Sequence, residues 1–399
     1  MKILWLLAFT AACSSGQTDG ASSPGNESPG AGADAGTGGI SFGGAQDIGQ
    51  FRGILDSGAV PGPDTLDANG FFNEHYAPPP NTGCVDTLCM TPGLSVGKDW
   101  VTGTHQAALQ IEIDTNVDPA TVVQQPLNLI VVIDHSGSMA SDGRLDKVKA
   151  GLDVLIDQLA DTDRLALVEF DDTVQTLAPL GAALDRPTLH TIVKNLQPGG
   201  GTNIFDGLKN GFDLSTAALA SDRQNRVIFL SDGLATVGNT DTTAILAMAD
   251  GYVERGIGLT TIGVGADFDV NLMKGLAEHG AGNFYFLEDP SAATEVFQQE
   301  LAYFTAPIAL DISLSAVAGT GYNFGEVVGS SLWGGNTRGG AMHIPAAFVT
   351  SRTGPAPDPG TGGRRGGGSM LFIHIDPTGF NPDGKVADLV LTYHVPGSG

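Results

Sequence analysis

The chain of 399 residues carries 19 Lys+Arg against 44 Asp+Glu, a formal charge of −25, together with 57 Gly. Charged residues make up only 16%, below the ~25% usual for soluble domains. So acidic a chain lacks the basic footprint that binding a polyanion requires, which excludes nucleic acid as a partner. Abundant Gly and Asp argue for turns and loops over a helical bundle, and the length allows two or three domains with an ample core.

Residues 1–13 comprise Met-Lys, an apolar run over 3–12 and Cys13. One cation before a short apolar stretch reads as a secretory signal, too short to span a bilayer. Thr10-Ala11-Ala12-Cys13 resembles a bacterial lipobox, which implies that Cys13 becomes the lipidated first residue. Ordinary cleavage beside Cys13 is the alternative. Ser14 directly after the Cys is similar to Gram-negative lipoproteins of the outer membrane. The expectation is a cell-envelope protein, of the outer-membrane lipoprotein type, that meets the membrane only through its N-terminal lipid. No later stretch approaches 18 apolar residues.

Residues 14–45 are Gly, Ser, Ala, Pro, Asn and Asp with almost no large apolar side chain, and are expected to form a disordered tether. Its root-mean-square reach would be on the order of 30 Å. A further N-terminal segment, 46–100, contains Gly-Cys84-Val-Asp-Thr-Leu-Cys89. In an exported protein a small Cys84–Cys89 disulfide loop is the default reading. A zinc pair is the rival, and it would need a second Cys/His pair that does not sit nearby.

Period-two alternation over 108–114 predicts a half-buried antiparallel strand in the segment 101–126. The rhythm then changes. Leu127-Asn-Leu-Ile-Val-Val-Ile133 is a continuous apolar run, the mark of a strand buried on both faces. Leu145, Val148, Leu152, Leu155, Ile156 and Leu159 recur at helical spacing. Strands are expected at 165–170 and 174–180, a helix near 204–219, and a strand at 227–230. Residues 241–255, 257–264, 269–279, 283–287 and 291–304 continue as helix, strand, helix, strand, helix. Such alternation predicts a doubly wound, Rossmann-like α/β domain over 127–304 with a mostly parallel sheet. Strands alternating with period two return at 310–316, 371–376 and 388–395, and 355–368 reads as a hairpin tip. The economical arrangement is a β-sandwich formed by 101–126 and 305–399, into which the α/β domain is inserted.

Three loops of the α/β domain carry oxygen donors. Asp134-His-Ser136-Gly-Ser138-Met follows the first buried strand, Thr202-Asn203 follows Gly199-Gly-Gly201, and Ser231-Asp232-Gly233 follows the strand ending at Leu230. In a doubly wound sheet these segments leave the carboxyl ends of adjacent strands, where ligands bind. Hydroxyls ligate a divalent cation well only beside carboxylates that hold its charge. Ser136, Ser138 and Thr202 would supply three oxygens, with Asp134 and Asp232 reaching the ion directly or through water. The set is hard oxygen, suited to Mg²⁺ or Mn²⁺ and a poor fit to zinc or copper.

These five residues resemble the complete metal-ion-dependent adhesion site of the von Willebrand factor A family, and the likeness extends over about 127–304, including Gly-Gly-Thr-Asn and Leu259-Thr-Thr-Ile-Gly-Val-Gly265. The resemblance implies docking of a partner protein, often through a carboxylate that completes the metal shell. The segment from Asp47 to Cys89, with Phe71-Phe-Asn-Glu-His-Tyr76, more loosely resembles the leader of bacterial secreted proteins of this kind.

Simpler roles compete for the same residues. Asp134, Ser136 and Ser138 could cap one helix, and Thr202 and Asn203 the next. His135 beside Ser136 lacks the Gly-x-Ser-x-Gly elbow of a nucleophile. Asp171 and Asp172 are expected to close a hairpin, and Asp267 and Asp269 to open the 269–279 helix. The leading expectation is therefore an adhesion-type binding protein that breaks no bond. A metal-dependent hydrolase would place a general base beside the metal, and a structural subunit of an envelope assembly would use the metal only to stabilise its fold.

Overall fold

The structure is a computed structural model and describes residues 40–41, 44–45, 49–62, 84–98, 103–118, 121, 125–182, 185–265, 268–287, 297, 307–349, 370–379 and 384–396. Residues 1–13 with Cys13, the motif at 71–76, Asp267 and the tip at 355–368 lie outside the described residues.

Two short strands, β1 (Ile40–Ser41) and β2 (Gly44–Ala45), and a helix, α1 (Gly49–Asp56), precede β3 (Cys89–Lys98) and β4 (His105–Asp114). The α/β unit runs β5 (Leu127–Asp134), α2 (Arg144–Gln158), β6 (Arg164–Phe170), β7 (Val174–Ala182), α3 (Arg186–Asn195) and α4 (Ile204–Ala217). It continues through β8 (Gln224–Ser231), α5 (Thr242–Val253), β9 (Ile257–Val264), α6 (Val270–His279) and β10 (Asn283–Leu287). Then follow β11 (Pro307–Ala318), β12 (Tyr322–Val328), β13 (Gly334–Asn336), β14 (Gly339–Val349), β15 (Met370–Pro377) and β16 (Ala387–His394).

The seven-stranded sheet has the order β2-β10-β9-β8-β5-β6-β7. Every pairing is parallel except β6 with β7. All eight residues of β5 are buried, which explains its unbroken apolar run: alternate side chains serve opposite faces. Leu129, Val131 and Ile133 pack beneath Val148, Leu152 and Leu155 of α2 and Leu189 and Val193 of α3. Ile130 and Val132 pack against Leu208 and Phe212 of α4 and the side chains of α5 and α6. The chain winds outward from β5 through β6 and β7, then returns to β8 on the other flank of β5. The direction of winding therefore reverses between β5 and β8, and a crevice opens outside their carboxyl ends.

The remaining strands form two antiparallel sheets, β12-β15-β4-β3 and β1-β14-β11-β16, with β13 also paired to β14. Leu109 and Ile111 from one sheet meet Ile312, Leu314 and Ile344 from the other in a separate core. The α/β unit is inserted between β4 and β11, which lie in different sheets of this sandwich.

Three details differ from the sequence reading. The last residues of the expected 14–45 tether are strand: Ile40 and Ser41 pair with Val349 and Phe348, and Gly44 and Ala45 with Asn283 and Phe284. Edge addition needs only backbone N–H and C=O groups, which small residues supply as well as apolar ones. The sandwich also reaches back past 101, because β3, within the expected 46–100 segment, pairs along its whole length with β4. Pro92 and Gly93 hide that strand in the sequence, and Pro92 is tolerated because β3 is an edge. β14 is hidden in the same way by Pro345. That residue falls between the stretch of β14 paired with β13 and the stretch paired with β1, where no partner asks for its N–H.

Cys84 and Cys89 form the disulfide, with their Cα atoms 5.6 Å apart. It sits at the start of β3, where Leu88 N–H donates to the Tyr393 hydroxyl (3.2 Å) and Thr115 Oγ1 donates to Thr87 O (2.6 Å). Among the described residues no helix is long and apolar enough to cross a membrane.

Candidate metal centre

Asp134 is the last residue of β5, Ser231 is the last of β8 and Asp232 follows it directly, so the two carboxylates stand on either side of the winding reversal. Both are fully buried, as are Ser136 and Thr202, while Ser138 is exposed at the mouth. Each carboxylate oxygen accepts at least one hydrogen bond from the protein. Asp134 Oδ1 accepts from Ser136 N–H (2.8 Å), and its Oδ2 accepts from the Ser231 hydroxyl (2.6 Å). Asp232 Oδ1 accepts from the Ser138 hydroxyl (2.8 Å), and its Oδ2 from Arg144 Nη1 (2.8 Å). Burial pushes the Asp134 carboxyl up to about 6, against the lowering effect of its bonds to Ser136 and Ser231.

The hydroxyls form a continuous string, with Ser136 Oγ 3.0 Å from Ser138 Oγ. Thr202 joins from the third loop. A Cβ built on Gly233 would stand 3.6 Å from Thr202 Oγ1 and 3.8 Å from Ser138 Oγ, so both hydroxyls border the same open space. The Thr202 backbone is clamped: its N–H donates to Thr236 Oγ1 (2.9 Å), and its carbonyl accepts from the N–H groups of Thr236 (3.0 Å) and Val237 (3.2 Å). Gly137 N–H to Gly200 O (3.0 Å) and Gly199 N–H to His135 O (2.7 Å) lock the first and second loops together. Gly200 has φ +71°, and a Cβ there would lie 2.5 Å from Asp171 Oδ2, so this close approach requires glycine.

The geometry separates the competing roles. Ser136 heads the 3₁₀ turn at 137–143 without a side-chain cap bond. Asn203, not Thr202, caps α4, accepting from Asp206 N–H (3.3 Å). The hydroxyl of Ser136 faces Ser138, whereas the His135 ring is engaged elsewhere: Nδ1 lies 2.9 Å from Gln197 O, and Nε2 lies 3.9 Å from Asp171 and 4.0 Å from Glu169. Ser136 and His135 therefore form no nucleophile–base pair. Asp171 closes the β6–β7 hairpin by accepting from Thr173 N–H (2.7 Å) and Thr173 Oγ1 (3.0 Å). Asp172 does more than close the turn, since its Oδ1 accepts from Gly201 N–H (2.9 Å) and steadies the Thr202 loop. Asp269 caps α6 through Leu272 N–H (3.0 Å).

Two members of the site were not legible as such in the sequence. Ser231 was visible only as a neighbour of Asp232. Arg144 carried one signal, a cation in the first turn of a helix, where the dipole disfavours it; a buried carboxylate partner resolves that conflict.

The donors are all hard oxygens, and adjacent corners of an octahedron around Mg²⁺ would be about 3.0 Å apart, given metal–oxygen distances near 2.1 Å. The 3.0 Å and 2.8 Å separations of Ser136, Ser138 and Asp232 are close to that edge. Among the described residues there is no group of three or more His, Cys, Asp or Glu side chains that could hold a metal in another way. The residues fit a small oxygen-seeking divalent cation.

Fold and site define a class: a doubly wound α/β domain with an oxygen-lined cradle at its winding reversal, set into a β-sandwich. Residues 128–299 match the model of the von Willebrand factor type A domain family, and the α/β unit has the fold of such domains. The chain is 28% identical over 186 residues to the uncharacterized protein YfbK of Escherichia coli (strain K12), covering 46% of this chain and 32% of that one. It is 32% identical over 199 residues to the uncharacterized protein sll0103 of Synechocystis sp., covering 49% and 46%. The chain thus spans less than half of the length of these curated relatives. A solved von Willebrand factor type A structure from Catenulispora acidiphila superposes with a TM-score of 0.51 at 19% identity, covering 78% of this chain and 70% of that one, a likeness of fold. Domains of this family generally mediate protein–protein interaction and adhesion, some with a divalent metal at the adhesion site.

Proposed function

We propose that Asp134, Ser136, Ser138, Thr202 and Asp232 hold a Mg²⁺ or Mn²⁺ ion, and that the domain docks a partner protein whose carboxylate completes the metal shell. The observation that carries this reading is the string Ser136–Ser138–Asp232, with oxygens 3.0 Å and 2.8 Å apart at the mouth of a crevice whose wall is the buried Asp134. Bound metal would supply a Lewis-acidic centre for an incoming oxygen. The protein's residues orient the donors: Asp232 holds the Ser138 hydroxyl hydrogen and so turns a lone pair toward the crevice, and Ser231 and Ser136 N–H fix the plane of Asp134. Binding alone accounts for this arrangement, with no bond broken. We place the protein in the cell envelope, anchored through a lipid on Cys13 and facing its partner across the segment that follows.

Calorimetry of the mature chain with Mg²⁺, Mn²⁺ and Zn²⁺ tests the reading. Binding of Mg²⁺ or Mn²⁺ that disappears in Asp134→Ala is the expected result, together with capture of a partner from envelope extract that chelator abolishes. Capture by the Asp134→Ala variant at the wild-type level would refute docking through the metal.

A further inference from the structure

The segment 40–45 belongs to both halves of the molecule. Ile40 and Ser41 of β1 pair antiparallel with Val349 and Phe348, at the end of β14 in the sandwich. Gly44 and Ala45 of β2 pair parallel with Asn283 and Phe284, at the start of β10 in the seven-stranded sheet, and β2 also runs beside α6. Each strand is two residues long, and each adds to the outer edge of its sheet. Covering a sheet edge is a sufficient role for either strand taken alone. It does not account for one segment serving two domains.

The places where the segment pairs are also the places where the two domains touch. Phe348, opposite Ser41, packs with Ala346 and Leu310 of the sandwich against Ala281, which lies just before Asn283 in the chain. The Arg226 guanidinium of β8 lies 4.6 Å from the centre of the Phe348 ring and donates from Nη1 to Ala281 O (3.3 Å). Ala281 is buried with φ +47°, a left-handed conformation that crowds its Cβ, so the turn is held under strain at this contact.

Chain length gives the consequence. Ser41 and Gly44 are three peptide steps apart, so their Cα atoms can stand at most about 11 Å apart. The sandwich edge at Phe348 and the α/β edge at Asn283 must therefore stay close for both pairings to persist. A swing of one domain against the other strips at least one of them. A two-residue strand is weak alone, but once one end is paired the short spacer holds the other at high local concentration, so the two ends form and fail together. We infer that residues 40–45 are a latch that fixes the α/β domain against the sandwich, and so sets the direction in which the crevice of the α/β domain faces. The latch is independent of any metal in that crevice. It is joined in sequence to the segment proposed above as a tether, so a pull on that segment reaches the latch before it reaches either core.

Two double variants of the full mature chain test this. Ile40→Pro with Ser41→Pro removes every backbone donor of β1, and Gly44→Pro with Ala45→Pro every donor of β2. The readouts are scanning calorimetry and hydrogen exchange of the Leu259 amide. That amide donates to Gly280 O (2.7 Å), beside Ala281, and pairs with neither β1 nor β2, so it reports on the junction. Wild type should unfold in one transition. Either double variant should split it into two and speed exchange at Leu259 several-fold. The β1 variant is decisive, because its changes lie in the sandwich and its reporter in the α/β domain. One transition in both variants, or a split in only one of them, would overturn the latch, since a bridge cut at either end is lost. Unchanged exchange at Leu259 in the β1 variant would overturn it too, as the mark of two independent edge covers, and so would a wild type that already melts in two steps. Ser41→Pro and Ala45→Pro singly, with the same expected directions, serve if a double variant fails to fold.

Discussion

At the amino end of the seven-stranded sheet, Asp163 lies buried between two backbone N–H groups, those of Leu127 and Ala160, each 2.8 Å from a different oxygen of its carboxylate. Beside it, Asn128 Nδ2 donates to Ala218 O (2.9 Å) and to Asn225 Oδ1 (3.0 Å), and Asn225 Nδ2 donates to Ala220 O (3.0 Å). At the carboxyl end, Asp134 and Asp232 are as deeply buried, but most of their partners are side chains, the Ser231 and Ser138 hydroxyls among them. A backbone N–H has no lone pair and no freedom to turn. A hydroxyl keeps its hydrogen on one carboxylate and offers oxygen to something else. Burial of a carboxylate therefore says little about its role; the chemical type of its partners separates a brace from a receptor.

That contrast can be broken at either end. The largest effect is expected from Asp163→Ala, which strands two N–H groups: unfolding in urea should show a loss of about 2–4 kcal/mol, while metal affinity of the folded fraction stays within about twofold of wild type. If metal binding fell in step with stability, the two ends would not be independent. Ser231→Ala works in the opposite sense. Losing one orienting bond to Asp134 should weaken metal binding roughly tenfold and cost about 1 kcal/mol of stability, measured by calorimetry and urea titration on the same sample. The smallest effect sharpens the comparison away from both ends. His190 on α3 lies 2.6 Å from Asp153 and 3.1 Å from Asp157 of α2, and its bond to Asp153, aided by Asp157, raises its pKa above 6.5. A raised pKa means the folded chain holds the proton more tightly. Its stabilising contribution is then full below the unfolded value and fades as pH rises through the folded one. His190→Gln should lower stability by a few tenths of a kcal/mol at pH 5.5 and not at all by about pH 9, with metal binding untouched.

Much of this was legible in the sequence because it is local. β5 announces itself by eight residues that pack on both faces, and Asp134, Ser136, Ser138, Thr202 and Asp232 each follow a strand or open a helix, so their convergence follows from the winding of the sheet. What escaped reading is non-local or masked by an exception. Arg144 meets Asp232 across 88 positions, and Ser231 meets Asp134 across 97; no spacing rule links them. β3 and β14 contain Pro92 and Pro345, which fit only because one strand is an edge and the other has a gap between partners. The strands at 40–41 and 44–45 carry no apolar period, since backbone pairing alone places them.

The junction with the sandwich also belongs to the amino end. There Phe348 of β14 packs with Ala281 and Ala346 under the Arg226 guanidinium, 4.6 Å above its ring. Burial lowers the pKa of Arg226 to about 10, and its Nη1 donates to Ala281 O (3.3 Å). The crevice and this junction are thus at opposite ends of the same parallel strands. If a partner docks at the crevice as proposed, a pull on it that is resisted at the sandwich would run lengthwise along β5, β8 and β9. Their ladders would then be loaded in shear, in which many hydrogen bonds give way together instead of unzipping singly.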